Sequence, residues 1–186
     1  MFTVKKNMKR RFFCTLSIVF LILINSCSAQ TDKSMNKVEI GSHIPLFSLP
    51  DQDGKMFDIN SEVGKKNLVI YFYPKDDTPG CTKEACTFRD QYEAFREAGA
   101  EVIGISSDDV ASHKKFALKH RLTFPLLSDE GGKIRKQFGV PANLFGLLAG
   151  RVTYVVNKQG VVFHIFNSQN QADKHISEAL KALKEI

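Results

Sequence analysis

An unbroken apolar run from Leu68 to Phe72 constrains the fold of this chain more than any other feature. Five consecutive apolar residues of this kind are typical of a strand that is buried on both faces of a sheet. A loop with proline and glycine follows, then a helical segment, and then a second apolar strand over Glu101–Ser106. Strands that alternate with helices in this way predict an α/β fold, with a central sheet flanked by helices.

Caps and turns predict the remaining elements. A helix should begin near Pro79, with Thr78 as its N-cap, and run to about Ala98, because Gly99 would end it. An Asn-Lys-Gln-Gly turn at 157–160 should join two apolar strands as a hairpin, which makes the sheet mixed. The other predicted elements are a helix capped by Asp108 or Asp109 that ends near His120, a strand over Phe124–Leu127, a short helix over Gly131–Phe138 and a final helix over Asp173–Lys184.

The N-terminal segment predicts export. Five Lys and Arg residues precede a 13-residue apolar run, Phe12–Ile24, and small and polar residues follow it, which is the order of a secretory signal. The run is too short to span a hydrocarbon core of about 30 Å. We therefore assign residues 1–26 to a signal peptide, 27–37 to a polar tether and 38–186 to one folded domain, and we expect an exported protein, either periplasmic or membrane-anchored.

The cleavage site has two interpretations. Residues 24–27 resemble a bacterial lipobox, in which Cys27 would be lipidated and would anchor the protein to a membrane. Residues 27–29 instead fit ordinary cleavage after Ala29, which would leave a soluble product. A short buried helix of the domain is the third interpretation of the apolar run.

The formal charge of +6 is concentrated at the same end of the chain. Five of the 26 Lys and Arg residues lie among the first eleven residues, where there is no acid, so the rest of the chain sets 21 basic side chains against 20 acidic ones. A nearly neutral domain lacks the basic surface that DNA or RNA binding requires. The sequence therefore predicts no nucleic-acid partner.

The stretch from Tyr73 to Cys86 carries the chemistry. It follows the buried strand and opens a helix, so Cys81 should lie in the first helical turn, where free backbone N–H groups and the helix dipole favour an anion. Such a position favours the thiolate, the nucleophilic form of cysteine. The Thr78 hydroxyl, one turn earlier, can hydrogen-bond the sulfur or a bound oxygen, and Pro74 makes the loop rigid.

Pro74, Thr78 and Cys81 form a Pro-x-x-x-Thr-x-x-Cys motif that resembles the active site of the peroxiredoxins. A second cysteine five residues later, Cys86, is similar to the bacterioferritin comigratory protein type, also called the Q type. The resemblance implies a thioredoxin-like fold and a peroxidase for hydrogen peroxide and organic hydroperoxides. It also implies a Cys81 sulfenic acid, a Cys81–Cys86 disulfide, reduction by thioredoxin or a similar dithiol protein, and an active-site guanidinium at Arg151. No metal or organic cofactor is implied, and we expect a monomer.

Charge develops on both oxygens when a thiolate attacks a peroxide, and fixed donors stabilise such charge. The candidate donors are the Thr78 hydroxyl, the Cys81 N–H and the Arg151 guanidinium. We therefore expect Thr78→Val and Arg151→Ala to slow the attack while changing the melting temperature little.

Other functions remain open for the same residues. Cys86 could only pack, or could form a structural disulfide with Cys81 in an exported binding module without enzymatic activity. An exported thiol-disulfide oxidoreductase on the same fold is a further alternative, although a Cys-x-x-Cys motif would be expected there. The five histidines are scattered and predict no metal site, and His113 and His120, seven residues apart on one helix, are expected at the surface.

The spacing of the two cysteines predicts a conformational change. Residues five apart in a regular helix have Cα atoms about 8.7 Å apart, whereas a disulfide requires Cα atoms within about 7 Å. We therefore expect one helix through Cys81 and Cys86 in the reduced protein, and unwinding of its first two turns on oxidation.

Overall fold

Strand β3, Asn67–Phe72, lies at the centre of a five-stranded sheet. The computed structural model describes residues 37–143 and 148–186. The predicted signal peptide, both cleavage sites, Cys27 and all but the last residue of the predicted tether lie outside the described residues. The other strands are β1 (Ser48–Pro50), β2 (Met56–Asp58), β4 (Ala100–Ser106), β5 (Leu126–Ser128), β6 (Ala142–Asn143), β7 (Leu148–Ala149), β8 (Val152–Val156) and β9 (Val162–Asn167). The helices are α1 (Pro79–Asp90), α2 (Tyr92–Glu97), α3 (Val110–His120), α4 (Lys133–Gln137) and α5 (Ala172–Leu183).

The strand order is β5-β4-β3-β8-β9. Strands β3, β4 and β5 are parallel, whereas β8 pairs antiparallel with β3 and β9 pairs antiparallel with β8. The sheet is therefore mixed, as predicted, and the hairpin around residues 157–160 supplies its antiparallel part. In the β3–β8 register Phe72 pairs with Val152, which places the loop after β3 beside the residue that precedes β8, Arg151.

Alternate residues of β3 enter two separate apolar cores. Tyr71 packs on one face with α1, α2, α3 and α5, and its ring stacks on that of Phe88 at 4.6 Å. Ile70 and Phe72 pack on the other face with α4 and the N-terminal part of the domain. Full burial of β3 on both faces follows from its apolar run. Five phenylalanines are fully buried in these two cores: Phe72, Phe88, Phe95, Phe116 and Phe138.

The helix predicted from Pro79 to Ala98 is wrong in one respect, because it is divided into α1 and α2. The division falls at Gln91, whose backbone (φ −103°, ψ 7°) leaves the helical region. Neither glycine nor proline marks this position, so the local sequence carries no signal for the break. In the part of the chain that the structure describes, no helix is both long and apolar enough to cross a membrane.

Candidate active site

Cys81 is the third residue of α1, in the position that the sequence predicts. Thr78 is the N-cap residue with extended backbone (φ −82°, ψ 147°), and Pro79 occupies the first helical position. The first N–H groups of a helix have no acceptor within the helix, so they present partial positive charge at this point. Cys81 is 1% exposed and carries a free thiol.

Arg151 contacts the sulfur directly. Its Nη2 lies 3.3 Å from Cys81 Sγ, its Nη1 pairs with Glu84 Oε2, and its Nε donates to the Gln169 carbonyl oxygen at 3.2 Å. The guanidinium is therefore held on three sides and is 3% exposed. The pairing of β3 with β8 brings Arg151 to α1, and a Cβ on Gly80 would lie 3.2 Å from Nη2, so this helical turn fits closely against the guanidinium.

Glu84 continues the same network into the core. It lies one helical turn after Cys81, on the same face of α1, and is completely buried. Burial raises the pKa of Glu84, whereas the charge of Arg151 and its hydrogen bond lower it and favour the ionised carboxylate. The Arg151 guanidinium and the Glu84 carboxylate therefore depend on each other for charge compensation.

His175 of α5 lies behind Glu84, with Nδ1 3.6 Å from Glu84 Oε1. Its Nε2 is 2.9 Å from the Ser168 carbonyl oxygen, so Nε2 carries the proton and Nδ1 accepts from the Thr153 hydroxyl at 2.8 Å. Burial lowers the pKa of His175 to about 4. The ring is therefore a neutral imidazole that is packed behind the buried pair.

His175 should make the protein less stable in acid. The unfolded side chain takes up a proton near its ordinary pKa of about 6.5, whereas folded His175 does so only near 4. Its contribution to the free energy of unfolding is complete above pH 6.5 and is lost as the pH falls toward 4, by roughly 3 kcal/mol.

Urea unfolding of the wild type and His175→Gln at several pH values from 7.5 to 4 measures this effect. The difference between the two proteins isolates His175, because Glu84, whose raised pKa has the opposite effect on stability, titrates in both. The variant should lose less stability than the wild type on acidification. Equal losses in the two proteins would contradict the assignment.

A cavity of about 640 Å³ opens onto the sulfur. Pro74, Thr78, Cys81 and Arg151, four of the five predicted site residues, line it together. The Thr78 hydroxyl donates to the Lys75 carbonyl oxygen at 3.0 Å. Its proton is therefore engaged, and its lone pairs are left to accept a hydrogen bond from a ligand.

Cys86, the fifth predicted site residue, is not among the residues that line this cavity. It lies on α1 two turns from the N-terminus, half-buried, with its Sγ 3.9 Å from His120 Nδ1. Helix α1 runs through both cysteines, and both thiols are free. The predicted helical form with separated cysteines is confirmed.

The sequence did not single out several polar residues around the site. Glu84 and Arg135 are two of them, and Arg135 Nη2 donates to the Tyr73 carbonyl oxygen at 2.7 Å. The prediction that His113 lies at the surface is wrong, because His113 is fully buried and its Nδ1 lies 2.9 Å from Asp76 Oδ2. Hydrogen bonds to buried partners offset the cost of removing these polar side chains from water.

The described ranges contain no group of three or more His, Cys, Asp or Glu side chains that could hold a metal ion. The functional groups of the site are the Cys81 thiol, the Arg151 guanidinium, the Thr78 hydroxyl and the first N–H groups of α1. Together they can stabilise a sulfur anion and negative charge that develops on a bound oxygen.

Comparisons with known proteins agree with this arrangement. The family model described as the AhpC/TSA family matches residues 40–165. Chloroplastic peroxiredoxin Q of Triticum aestivum is 57% identical over 159 residues, which cover 86% of this chain and 73% of that protein. Chloroplastic peroxiredoxin Q of Arabidopsis thaliana is 60% identical over 148 residues, 80% of this chain and 68% of that protein. The crystal structure of peroxidoxin BcpB from Mycobacterium tuberculosis has a TM-score of 0.75 at 39% identity and covers 80% of this chain and 98% of its own.

The predicted export is wrong in the light of these relatives. Their names place them in the chloroplast, which points to a plastid and contradicts a periplasmic protein or a lipoprotein anchored through Cys27. The physical reason for the error is that a basic, acid-free N-terminus is shared by secretory signals and by transit peptides. The first acid of this chain is Asp32, so charge alone does not separate the two classes.

The comparisons confirm the thioredoxin-like fold and do not favour the alternative of a thiol-disulfide oxidoreductase. The family model spans more than half of the chain, and the relatives and the solved structure agree on the type. Peroxiredoxins act on peroxides and are reduced by thioredoxin-like proteins. The chain therefore belongs to the AhpC/TSA family and, within it, is a peroxiredoxin of the Q (bacterioferritin comigratory protein) type, a thiol peroxidase.

Proposed function

We propose that Cys81 is the residue that attacks the peroxide. The observation that carries this assignment is the contact of 3.3 Å between Arg151 Nη2 and Cys81 Sγ at the floor of the cavity. A guanidinium keeps its positive charge at any physiological pH, so it stabilises the thiolate. The helix N-terminus adds its partial positive charge on the same sulfur.

In the first step the Cys81 thiolate attacks one peroxide oxygen. A sulfur–oxygen bond forms, the oxygen–oxygen bond breaks, and the second oxygen leaves as hydroxide or alkoxide, which takes up a proton from the solvent to become water or alcohol. The product is a Cys81 sulfenic acid. Hydrogen peroxide and organic hydroperoxides both fit this scheme, because the step uses only the O–O–H group.

Thr78 and Pro74 position the peroxide, and Arg151 stabilises the charge that develops. The Thr78 oxygen accepts a hydrogen bond from the peroxide O–H, since its own proton is engaged with Lys75. Arg151 faces the sulfur and donates to the oxygens as the charge develops on them. Pro74 forms a rigid part of the cavity wall next to the sulfur.

Cys86 then resolves the sulfenic acid. Its sulfur attacks Cys81 sulfur, the sulfur–sulfur bond forms, and water leaves, which gives the Cys81–Cys86 disulfide. A dithiol protein such as thioredoxin restores both thiols by exchange. We propose that the chain acts as a monomer, because both cysteines belong to one helix.

Counting thiols after addition of one equivalent of peroxide tests this assignment. We expect the wild type to lose both Cys81 and Cys86 thiols quickly, with a mass that fits one internal disulfide. Cys86→Ser should lose the Cys81 thiol at a similar rate and yield a sulfenic acid that dimedone labels. Loss at the slow rate of an ordinary free thiol would reject the assignment.

Oxidation should unwind the first two turns of α1. A regular helix holds the two Cα atoms about 8.7 Å apart, which exceeds the reach of a disulfide, so the bond cannot close while α1 stays folded. Amide hydrogen exchange over residues 81–88 should accelerate in the oxidised protein and slow again after reduction. Equal protection in both redox states would contradict the role of Cys86, and exchange over β3 provides the internal control.

A further inference from the structure

Cys86 faces the C-terminal end of α3. Its Sγ lies 3.9 Å from His120 Nδ1, within hydrogen-bond distance for sulfur. One turn further along α1, Arg89 Nη1 donates to the His120 carbonyl oxygen at 2.5 Å. The contact between α1 and the His120 backbone therefore holds the imidazole ring beside the thiol.

A carboxylate orients the ring from its other side. His120 Nε2 lies 3.1 Å from Asp77 Oδ1, and Lys119 Nζ binds the same oxygen at 2.8 Å. Hydrogen bonds from Lys119 and His120 lower the pKa of Asp77, so its carboxylate is ionised and can only accept. His120 Nε2 therefore carries the ring proton, and the lone pair of Nδ1 faces the Cys86 thiol.

The backbone supports this orientation. Asp77 has a positive φ of 55°, a left-handed conformation that aspartate and asparagine tolerate better than most residues. The side chains of Asp77 and Lys119 are 46% and 61% exposed, whereas that of His120 is only 18% exposed. The ring of His120 also packs edge-on against Phe116 at 5.0 Å. A nucleophile, an imidazole and a carboxylate thus follow one another, the order in which a base activates a nucleophile.

We propose that His120, oriented by Asp77, is the general base that takes the proton from Cys86 in the resolving step. The inference rests on the proposed function, since it requires a Cys81 sulfenic acid. The Cys86 thiol proton moves to His120 Nδ1, and the sulfur attacks Cys81 sulfur. The sulfur–sulfur bond forms and the sulfur–oxygen bond breaks. The leaving hydroxide takes the proton from His120 Nδ1 and becomes water, so His120 returns to its neutral form.

The charged groups around this pair favour the transfer. Asp77 from the loop before α1 stabilises a protonated His120, and Lys119 of α3 keeps Asp77 ionised. On the α1 side, the pKa of Arg89 is raised, mainly by its hydrogen bond to Asp90 and less by Cys86. Arg89 Nη1 also donates to the His120 carbonyl oxygen, so the guanidinium lies beside the Cys86–His120 pair. Proton transfer takes place while α1 is folded, and the thiolate then moves with the unwinding turn.

Rapid-quench kinetics with one equivalent of hydrogen peroxide separates the two chemical steps. Peroxide consumption reports oxidation of Cys81, and dimedone trapping with mass spectrometry reports the lifetime of the sulfenic acid. The variants are His120→Gln and Asp77→Asn, and the matched control is Lys119→Gln, which removes the other partner of the same Asp77 oxygen without touching Cys86.

At pH 7 we expect His120→Gln to form the disulfide about tenfold more slowly than the wild type, a modest share of the usual gain from general base catalysis. Asp77→Asn should be slowed less, and Lys119→Gln should stay within about twofold of the wild type. Peroxide consumption should stay within twofold in all three, which also shows that they are folded. The deficit should shrink as the pH is raised to 9.5, because hydroxide in the solvent then removes the thiol proton without help from His120.

An unchanged rate of disulfide formation in His120→Gln would overturn the proposal. Faster disulfide formation in His120→Gln would also overturn the proposal, and it would show that the contact of His120 with α1 keeps the helix folded. A deficit that persists at pH 9.5 would assign His120 a structural role only. Failure of the wild type to form any sulfenic acid would reject the proposed function itself, and this inference with it.

Discussion

Cys81→Ser should abolish peroxide turnover, with a fall of at least about 10³-fold in the rate of peroxide consumption. A serine hydroxyl at the N-terminus of α1 stays protonated, and so it lacks the anion that attacks the O–O bond. Cys86, the other thiol in the described part of the chain, lies outside the cavity and cannot replace it. Coupled turnover with a thioredoxin system and a single-turnover assay both measure the effect.

Cys86→Ser is the matched control for Cys81→Ser. It removes a thiol from the same helix but leaves the Arg151 contact with Cys81 in place. It should keep the rate of the first peroxide reaction and lose recycling by the dithiol protein. Peroxide consumption by Cys81→Ser within tenfold of the wild type would remove Cys81 from its proposed role.

Loss of the Arg151 guanidinium should slow peroxide attack by about 10²-fold or more, as expected for a lost donor to developing charge. Arg151→Ala tests this poorly, because it also leaves Glu84 buried without its partner. Removal of one member of a buried ion pair costs about 3–5 kcal/mol. The sequence alone predicted little change in melting temperature for Arg151→Ala, and the burial of both residues contradicts this expectation.

A paired design separates catalysis from stability. Glu84→Gln removes the carboxylate charge with little change in shape, and it leaves the guanidinium its contacts with the Cys81 sulfur and the Gln169 carbonyl oxygen. The double variant Glu84→Gln with Arg151→Met then removes the guanidinium without leaving a buried charge. Second-order rate constants with hydrogen peroxide should differ by about 10²-fold or more between these two variants. A ratio near one would show that Arg151 serves only the fold.

The features predicted from the sequence were those that local chemistry determines. The apolar run of β3, the Thr78-Pro79 start of α1 and the hairpin turn at 157–160 each depend on residues within a few positions, and the structure contains all three. The motif likewise placed Cys81 at the helix N-terminus. Each of these features depends on a short stretch of consecutive residues, so hydrophobic pattern and residue propensity suffice to predict it.

The residues that the sequence did not reveal are those whose partners are far away along the chain. Glu84 meets Arg151 and His175 only because β8 and α5 return to α1, and an acid in the second turn of a helix is otherwise a typical surface residue. His120 contacts Cys86 although the two residues are 34 positions apart in the sequence. A signal for Glu84 was nevertheless present, since position i+3 from Cys81 shares its helical face.

If α1 unwinds as proposed, the stack of Tyr71 on Phe88 should also report the redox state optically. The chain has no tryptophan and four tyrosines, so its near-ultraviolet circular dichroism comes mainly from a few aromatic rings in fixed asymmetric surroundings. Tyr71 belongs to the rigid central strand, whereas Phe88 belongs to the helix that must unwind. Opening of α1 as far as Phe88 would separate the rings and alter the tyrosine band, so the peroxidase could be followed through its cycle without any label.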